Sequence, residues 1–345
     1  MRKSKKISIF YHDKVGKVNM KRKNLIYILM GVILCVCVGI IGFMAAEGEN
    51  ILEVMRGNES EQVSGNHGKS GAGEAFDGKK QEQAVENEEA EEAETSIIQP
   101  AGKTLKKRVA VPDGYQRIAC KKKSLGSFLR NYPMKKDGSP VLLYDGSRKG
   151  NQSAHAAVFK LPIEEEDLQQ CADSIMRVYA EYFWKTDQKE RIAFHFVDGF
   201  LADYKTWRDG GRIQAGNTTS WVRSAEYDDS YQNFKKYLRM VFAYAGTLSM
   251  EAESKKIPLA KLQIGDIFIK GASPGHVVMV VDVCKNEEGK KAFLLAQGYM
   301  PAQEFHLLKN LKHEEDPWYY EEEVSYPFQT PEYTFKKGSL RHLTY

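Results

Sequence analysis

The longest hydrophobic run in the chain lies near its start. Residues 24–46 (NLIYILMGVILCVCVGIIGFMAA) contain no charged residue and no proline. A helix of this length rises about 35 Å, whereas the hydrocarbon core of a bilayer is about 30 Å thick. The pattern therefore predicts a transmembrane helix over 24–46.

The charges on either side of this run predict its orientation. Nine basic residues and one acid precede it, and three glutamates closely follow it. By the positive-inside rule, residues 1–23 form a cytoplasmic tail and the C-terminal domain lies outside the cell membrane, with the lipid bilayer as a partner. The alternative is a signal peptide cleaved near Ala46. Because the apolar core of a signal peptide is only about 7–15 residues long, the uncleaved single-pass anchor is favoured.

Residues 47–105 have the composition of a linker. SGNHGKSGAGEAFDGKK is rich in Gly and Ser, and VENEEAEEAET is an acidic run. Neither segment has enough apolar surface to offset the conformational entropy lost on ordering. We therefore expect a disordered tether with a root-mean-square length of roughly 40 Å.

Regular apolar periodicity begins at about residue 106 and continues to residue 345. Runs with the helical period and runs with strand character alternate with turns that contain Gly or Pro. The predicted helices are 124–134, 167–184 and 231–250, the last ending near Gly246, and the predicted strands are 141–146, 153–163, 190–199, 264–270, 275–284 and 291–300. The pattern predicts one α+β domain over 106–345, with an antiparallel meander after the helices.

Charge and cysteine content narrow the function classes. The chain has 345 residues and a net charge of +4, and residues 103–345 carry a net +6 that favours association with peptidoglycan or another anionic envelope polymer. The chain has no phosphate-binding loop, dinucleotide fingerprint or nucleic-acid module, so we predict no cofactor and no nucleic-acid partner. Only Cys120, Cys171 and Cys284 lie outside the apolar run, an odd number that cannot all pair within the chain. No Cys/His spacing predicts a metal site.

The segment that carries most chemical information is 262–283, LQIGDIFIKGASPGHVVMVVDV. It resembles a strand pair of the NlpC/P60 and CHAP cysteine hydrolases, in which a strand beginning Gly-Asp leads into a strand beginning Gly-His. Gly265-Asp266 and Gly275-His276 match these two elements. The resemblance implies a papain-like fold with His276 as the general base. It also implies a polar residue on the next strand that orients the histidine, here Gln297 in LLAQGY.

Cys171 is the candidate nucleophile, because it alone lies near a predicted helix start with the sheet downstream. A helix N-terminus and a nearby imidazole both stabilise a thiolate. With Asp167 as the N-cap, Cys171 falls at the end of the first turn, whereas a start at Glu164 places it one turn deeper. The acids at 164–167 oppose ionisation, and a cysteine on an apolar helix stripe can equally be a core residue. The match is also incomplete, since the helix directly before the Gly-Asp strand contains no cysteine.

Over a longer range the chain is similar to a second family. DLQQCADSIMRVYAEY, GDIFIKGASPGHVVMVVDV, LLAQGYMPAQEFHLLKN and TPEYTF together resemble the bacterial family called domain of unknown function 4846. This resemblance spans nearly all of 106–345. It implies the domain boundaries and no particular activity.

Four aromatic and basic residues could line a groove for a glycan or a peptide, because aromatic faces stack on sugars and Arg binds carboxylates. They are Trp207, Arg208, Arg212 and Trp318. Such residues could equally anchor a loop on the core.

The sequence-based hypothesis for the fold is the α+β class. It has an N-terminal transmembrane helix and then a papain-like (NlpC/P60-like) domain with helices packed on an antiparallel sheet. The hypothesis for the function is a membrane-anchored cell-envelope cysteine hydrolase, an amidase or peptidase acting on cell-wall peptide through Cys171, His276 and Gln297. The alternative is a non-catalytic envelope-binding or assembly domain on the same fold.

The linker composition yields a first testable prediction. Deleting residues 60–95 should leave the melting temperature of the C-terminal domain unchanged within about 1 °C, because a solvated tether makes no packing contact with it. Scanning calorimetry of the shortened and full-length chains measures this. A fall of several degrees in the shortened chain would mean that the segment packs on the domain.

Overall fold

The computed structural model of the protein describes residues 96–216 and 218–345. The predicted tail 1–23, the predicted span 24–46 and nearly all of the predicted linker 47–105 lie outside the described residues. Within the described residues, no helix is both long enough and apolar enough to cross a bilayer.

The described residues form six α-helices and fifteen short or medium strands, with three single-turn 3₁₀ helices between them. The α-helices are α1 (Leu105–Arg108), α2 (Leu125–Arg130), α3 (Cys171–Lys185), α4 (Tyr204–Arg208), α5 (Tyr231–Tyr244) and α6 (Thr247–Ala252). The 3₁₀ helices are Lys189–Arg191, Leu259–Lys261 and Glu321–Glu323. The strands are β1 (Gln116–Arg117), β2 (His155–Val158), β3 (Ala193–His195), β4 (Leu201–Asp203), β5 (Gly211–Gln214), β6 (Ser220–Arg223), β7 (Ser254–Lys256), β8 (Ile267–Lys270), β9 (His276–Lys285), β10 (Lys291–Gln297), β11 (His306–Leu308), β12 (Tyr319–Tyr320), β13 (Phe328–Gln329), β14 (Thr334–Phe335) and β15 (Leu340–Leu343).

One antiparallel sheet of nine strands organises the domain. Its main order is β2-β11-β10-β9-β8-β15-β7, with β1 paired to β9 and β12 paired to β10. The central strand β9 is buried from His276 through Cys284. Val277, Met279 and Val281 join the core that contains α3, whereas Val278 and Val280 join a second core on the other face. Because both faces are covered, the strand reads as a continuous apolar run without alternation.

The predicted fold class is wrong. The described residues form a mostly antiparallel sheet domain with few helices, and no helix among them can span a membrane, whereas the prediction combined a transmembrane helix with a papain-like α+β domain. The meander 264–300 is present as β8, β9 and β10. The chain then adds β11 to β15, which the periodicity did not reveal. These strands have two to four residues each, too few for a period-two pattern.

Helix α3 begins later than either predicted start. The acids expected at its N-terminus are bound elsewhere: the Glu164 carboxylate accepts a hydrogen bond from Arg177 at 3.0 Å, and Asp167 accepts one from the Ala302 amide at 2.6 Å. The backbone N–H of Gln170 donates to the Asp173 carboxylate at 3.1 Å, which caps the helix one residue before Cys171. Cys171 is therefore the first residue of a 15-residue helix.

The first turn of α3 lies very close to the end of β10. A Cβ atom added to Gly298 would overlap Ser174 Oγ and lie only 2.9 Å from the Gln170 carbonyl oxygen. A Cβ atom on Gly275 would likewise lie 2.9 Å from the Lys270 carbonyl oxygen. These two glycines adjoin Gln297 and His276 directly. The close approach at Gly298 brings the start of α3 against the end of β10, and the one at Gly275 brings the loop 270–272 against the start of β9.

This packing predicts the effect of replacing Gly298. Gly298→Ala should lower the free energy of unfolding by about 1–3 kcal/mol, because the new methyl group overpacks against the backbone of Gln170. Chemical denaturation measures the change. Gly150→Ala is the matched control, since no atom lies within 4 Å of the added Cβ there. An equally stable Gly298→Ala protein would contradict the close approach.

Candidate functional site

The three residues predicted as catalytic lie at element ends that meet at one end of the sheet. Cys171 is the first residue of α3, His276 is the first residue of β9, and Gln297 is the last residue of β10. All three side chains are buried, with exposed fractions of 7%, 2% and 0%. Their catalytic role stays a prediction, which the arrangement below supports.

His276 and Gln297 form a direct hydrogen bond. The distance between His276 Nε2 and Gln297 Oε1 is 2.7 Å. An amide oxygen can only accept a hydrogen bond, so His276 Nε2 must carry the proton. A neutral imidazole then has its lone pair on Nδ1, which is the state required of a general base.

The Cys171 thiol lies beside the start of the same strand. The nearby backbone amides of Ala172, Val277 and Cys171 act to lower its pKa. Val277 directly follows His276. Tyr299 and Tyr333 pack on the histidine, with their rings 4.7 and 4.9 Å from the His276 ring, and burial raises the pKa of both phenols.

Both reacting groups are neutral in this structure. Burial raises the pKa of Cys171 to about 12, with a further contribution from the charge of Asp173, and the surrounding amides do not compensate. Burial also lowers the pKa of His276 to about 4, despite the bond to Gln297. The stabilisation of a thiolate by the helix N-terminus and the imidazole, which the sequence analysis considered, therefore does not prevail in this conformation.

Asp173 adds a second titrating group at the helix start. Burial raises the pKa of its carboxyl group to about 8, although the amides of Gln170 and Asp173 favour the charged form. One of its oxygens, Oδ1, is buried without a hydrogen-bond partner. The carboxyl group is thus protonated below about pH 8 and opposes thiolate formation above it.

Three polar residues behind Gln297 were missed by the sequence reasoning. Gln297 Nε2 donates to Glu332 Oε2 at 2.7 Å and lies 3.4 Å from His306 Nε2. Glu332 also forms an ion pair with the buried Lys149. These residues are separated from Gln297 by 9 to 148 positions along the chain. No local motif connects residues so far apart. The segments around His306 and Glu332, LLAQGYMPAQEFHLLKN and TPEYTF, were singled out only as part of the family resemblance.

A cleft of about 350 Å³ gives access to the thiol. Its wall consists largely of small residues and backbone, including Gln170, Cys171, Gly246, Ala272, Gly275 and Met300. Ala272 has a φ of +77°, a left-handed conformation that is strained for a residue other than glycine. Backbone strain of this kind costs about 1–3 kcal/mol and is concentrated at functional sites.

The Gly-Asp half of the matched motif has a structural role. Gly265 has a φ of +98°, and Tyr179 donates a hydrogen bond to its carbonyl oxygen at 3.0 Å. The buried Asp266 carboxylate accepts from the Gln263 amide at 2.8 Å and is bonded to His342 Nδ1 at 2.6 Å. The pair therefore fixes the turn into β8 and supplies no group to the cleft.

The four predicted substrate-binding residues do not line this cleft. Trp207 is buried and donates to Asn233 at 2.9 Å, and the Arg212 guanidinium stacks on the Trp207 ring at 4.5 Å. Arg208 forms an ion pair with Glu190 at 3.0 Å. Trp318 is fully buried and donates to the Ala110 carbonyl at 2.8 Å. These contacts give all four a structural role, and substrate binding by them stays a prediction.

The described residues contain no group of three His, Cys, Asp or Glu side chains arranged to hold a metal ion. Their three cysteines, Cys120, Cys171 and Cys284, are free thiols.

Comparison with known proteins places the domain in a family. No curated protein and no solved structure matches this chain, so the resemblance to NlpC/P60 enzymes is not shown. One family model matches, over residues 105–342, which agrees with the predicted domain of 106–345. The chain belongs to the family described as domain of unknown function (4846).

Proposed function

We propose that the domain is a cysteine hydrolase of the cell envelope that cleaves an amide bond in cell-wall peptide. One observation carries the proposal: His276 Nε2 donates to Gln297 at 2.7 Å, which leaves a neutral histidine with a proton-accepting Nδ1 at the start of β9. Helix α3, whose first residue is Cys171, packs against the same strand. The thiol opens to a cleft that can admit a substrate.

In the proposed reaction, His276 first accepts a proton from Cys171 and later returns it to the leaving amine. The Cys171 sulfur attacks the carbonyl carbon of the amide while its proton passes to His276 Nδ1. The oxyanion of the tetrahedral intermediate forms at the N-terminus of α3, where backbone amides favour negative charge. His276 gives its proton to the leaving amine, and the C–N bond breaks to leave a thioester. Water, deprotonated by His276, then attacks the thioester and releases the carboxylic acid and the thiol.

The pKa values decide the order of proton transfer. With the thiol near 12 and the imidazole near 4, a resting thiolate–imidazolium pair is unfavourable by on the order of 10 kcal/mol before the attraction between the two charges is counted. The proton must therefore move as the sulfur attacks, and not beforehand. Substrate binding that shields the new charges from competing groups such as Asp173 would lower this barrier.

The shape of the cleft suits a peptide with small side chains. Gly246, Ala272 and Gly275 leave the cleft wall close to backbone level, so an extended chain can approach the sulfur. Cell-wall peptide as the substrate and the cell envelope as the location rest on the sequence, namely on the charges around 24–46 and on the basic balance of 103–345. Both are parts of the proposal.

A non-catalytic envelope-binding domain is the second candidate, and one observation favours it. The Cys171 sulfur is buried and its pKa is raised to about 12, as for a cysteine with a packing role. Such a domain would bind cell-wall material through the same cleft without forming a thioester.

Substitution of Cys171 separates the two functions. Cys171→Ser should reduce release of new amino termini from purified cell-wall peptide at least about 10³-fold, because the hydroxyl group is a far weaker nucleophile in this site. His276→Ala should have a similar effect. Cys120→Ser is the control, since Cys120 lies outside the cleft lining, and it should retain wild-type activity.

Binding is measured on the same variants by co-sedimentation with cell-wall material. Retained binding with lost hydrolysis in Cys171→Ser supports the hydrolase. If the wild-type chain binds the material but releases no new amino termini, the binding domain is correct instead.

The titration of Asp173 should make the reactivity of the Cys171 thiol depend on pH. Asp173→Asn should increase alkylation of Cys171 by roughly tenfold or less above pH 8, because it removes a carboxylate that opposes the thiolate there. Below pH 8 the wild-type carboxyl group is protonated, so the variant should react like the wild type. Iodoacetamide labelling followed by mass spectrometry measures the rates between pH 6 and 10. Glu165→Gln, at an exposed carboxylate of the acidic run, should have no effect, and an equal effect of both variants at all pH values would contradict the assignment.

A further inference from the structure

The polar groups behind Gln297 form a chain that ends at the ion pair of Lys149 and Glu332. Both of these side chains are buried, at 6% and 9% exposure. Burial alone would raise the pKa of Glu332, but the bonds from His306 and Lys149 outweigh it and lower the pKa to about 2. Glu332 is therefore a carboxylate at any physiological pH.

The donor and acceptor rules along this chain permit one arrangement. A carboxylate only accepts hydrogen bonds, so the Gln297 atom at 2.7 Å from Glu332 Oε2 must be the amide nitrogen. His306 Nδ1 donates to the Glu304 carbonyl at 2.8 Å, and its Nε2 lies 3.4 Å from the Gln297 amide nitrogen and 3.9 Å from Glu332 Oε2. The amide oxygen of Gln297 is thereby directed at His276.

We infer that Glu332, held in place by Lys149, is a positioning residue that sets the protonation pattern of His276 through the orientation of the Gln297 amide. The inference rests on the proposed function, because the pattern matters chemically only if His276 Nδ1 accepts the Cys171 proton. With the amide reversed, its nitrogen would face His276 and would require an accepting Nε2. Nδ1 would then carry the proton and could not act as the base.

The location of Glu332 gives the inference a structural basis. Glu332 lies in the turn between β13 and β14, and this turn is docked over the histidine: Tyr333 donates to the Pro274 carbonyl at 3.2 Å, and Tyr299 donates to the Glu332 carbonyl at 3.3 Å. Asn151, near Lys149, adds a further donor to Glu332 at 3.3 Å. The carboxylate is thus fixed from three separate segments of the chain, as orienting an amide requires.

The test measures the tautomer of His276 and the rate of hydrolysis in the same proteins. In the full-length chain labelled with ¹⁵N-histidine, long-range ¹H–¹⁵N spectra distinguish a protonated Nε2 from a protonated Nδ1. The His276 signal is identified by its loss in His276→Gln. We expect the wild type to carry the proton on Nε2 alone.

Glu332→Gln should produce a mixture of the two tautomers and a 10- to 100-fold fall in kcat with KM nearly unchanged, because a neutral amide no longer dictates how Gln297 sits. Gln297→Glu combined with Glu332→Gln reverses the two groups. The carboxylate introduced at position 297 would accept from His276, and the amide introduced at position 332 would donate to that carboxylate, so the single tautomer and most of kcat should return. Glu323→Gln removes a carboxylate bonded to the partly exposed His313, and as the matched control it should change neither readout.

The inference is overturned if Glu332→Gln keeps only the Nε2-protonated form, or if the double variant is no better than Glu332→Gln. A mere loss of packing in Glu332→Gln would not be repaired by the second substitution, so rescue separates positioning from stability. If the tautomers change as expected while the wild type hydrolyses no cell-wall peptide, the positioning role stands and the proposed function fails.

Discussion

The arrangement at the site depends on how closely the start of α3 approaches the sheet. Gly298 lies where any side chain would meet the backbone of Gln170, and Gly275 lies where one would meet the loop before β9. Each glycine adjoins a residue of the proposed site, so removing two Cβ atoms lets three backbone segments converge. Helix α3 then packs against β9, and the backbone amides near its N-terminus act to lower the pKa of the Cys171 thiol. A side chain at Gly298 would push the start of α3 away from the end of β10, and one at Gly275 would push the loop before β9 away from His276.

Burial has opposite consequences for the groups gathered there. It keeps the Cys171 thiol and the His276 ring neutral, and it keeps Asp173 protonated up to about pH 8. Glu332 alone is held as an anion, since Lys149 and His306 supply charge and hydrogen bonds that outweigh the desolvation of the carboxylate. The ion pair of Glu332 and Lys149 lies behind Gln297 and acts on the histidine only through the direction of hydrogen bonds. It therefore orders the protons of the site without making the thiol reactive at rest.

Sequence reasoning located the central strands and the residues at their ends, because β8 to β10 are long apolar runs with turn residues between them. It placed the start of α3 too early, since the acids at 164–167 suit a helix N-terminus but are bound by Arg177 and by the Ala302 amide. It also missed Lys149 and Glu332, because their pairing is set by strands of two residues and by loops with no periodicity. Such contacts depend on the tertiary fold and leave no local signal in the sequence.

The desolvation free energy of the buried Lys149–Glu332 pair bears on the choice between a hydrolase and a binding domain. A buried ion pair is weak evidence for stability, because desolvation of both charges can exceed their attraction, and an apolar replacement is often neutral or stabilising. Desolvation of Lys149 and Glu332 thus offsets much of the stability that filling this part of the core would provide. A cleft that only binds a polymer gains nothing from a defined proton on one buried ring nitrogen. A general base does, because only the Nε2-protonated form of His276 can accept a proton on the other nitrogen. The network therefore favours the proposed proton transfer at His276 over a role in packing or binding alone.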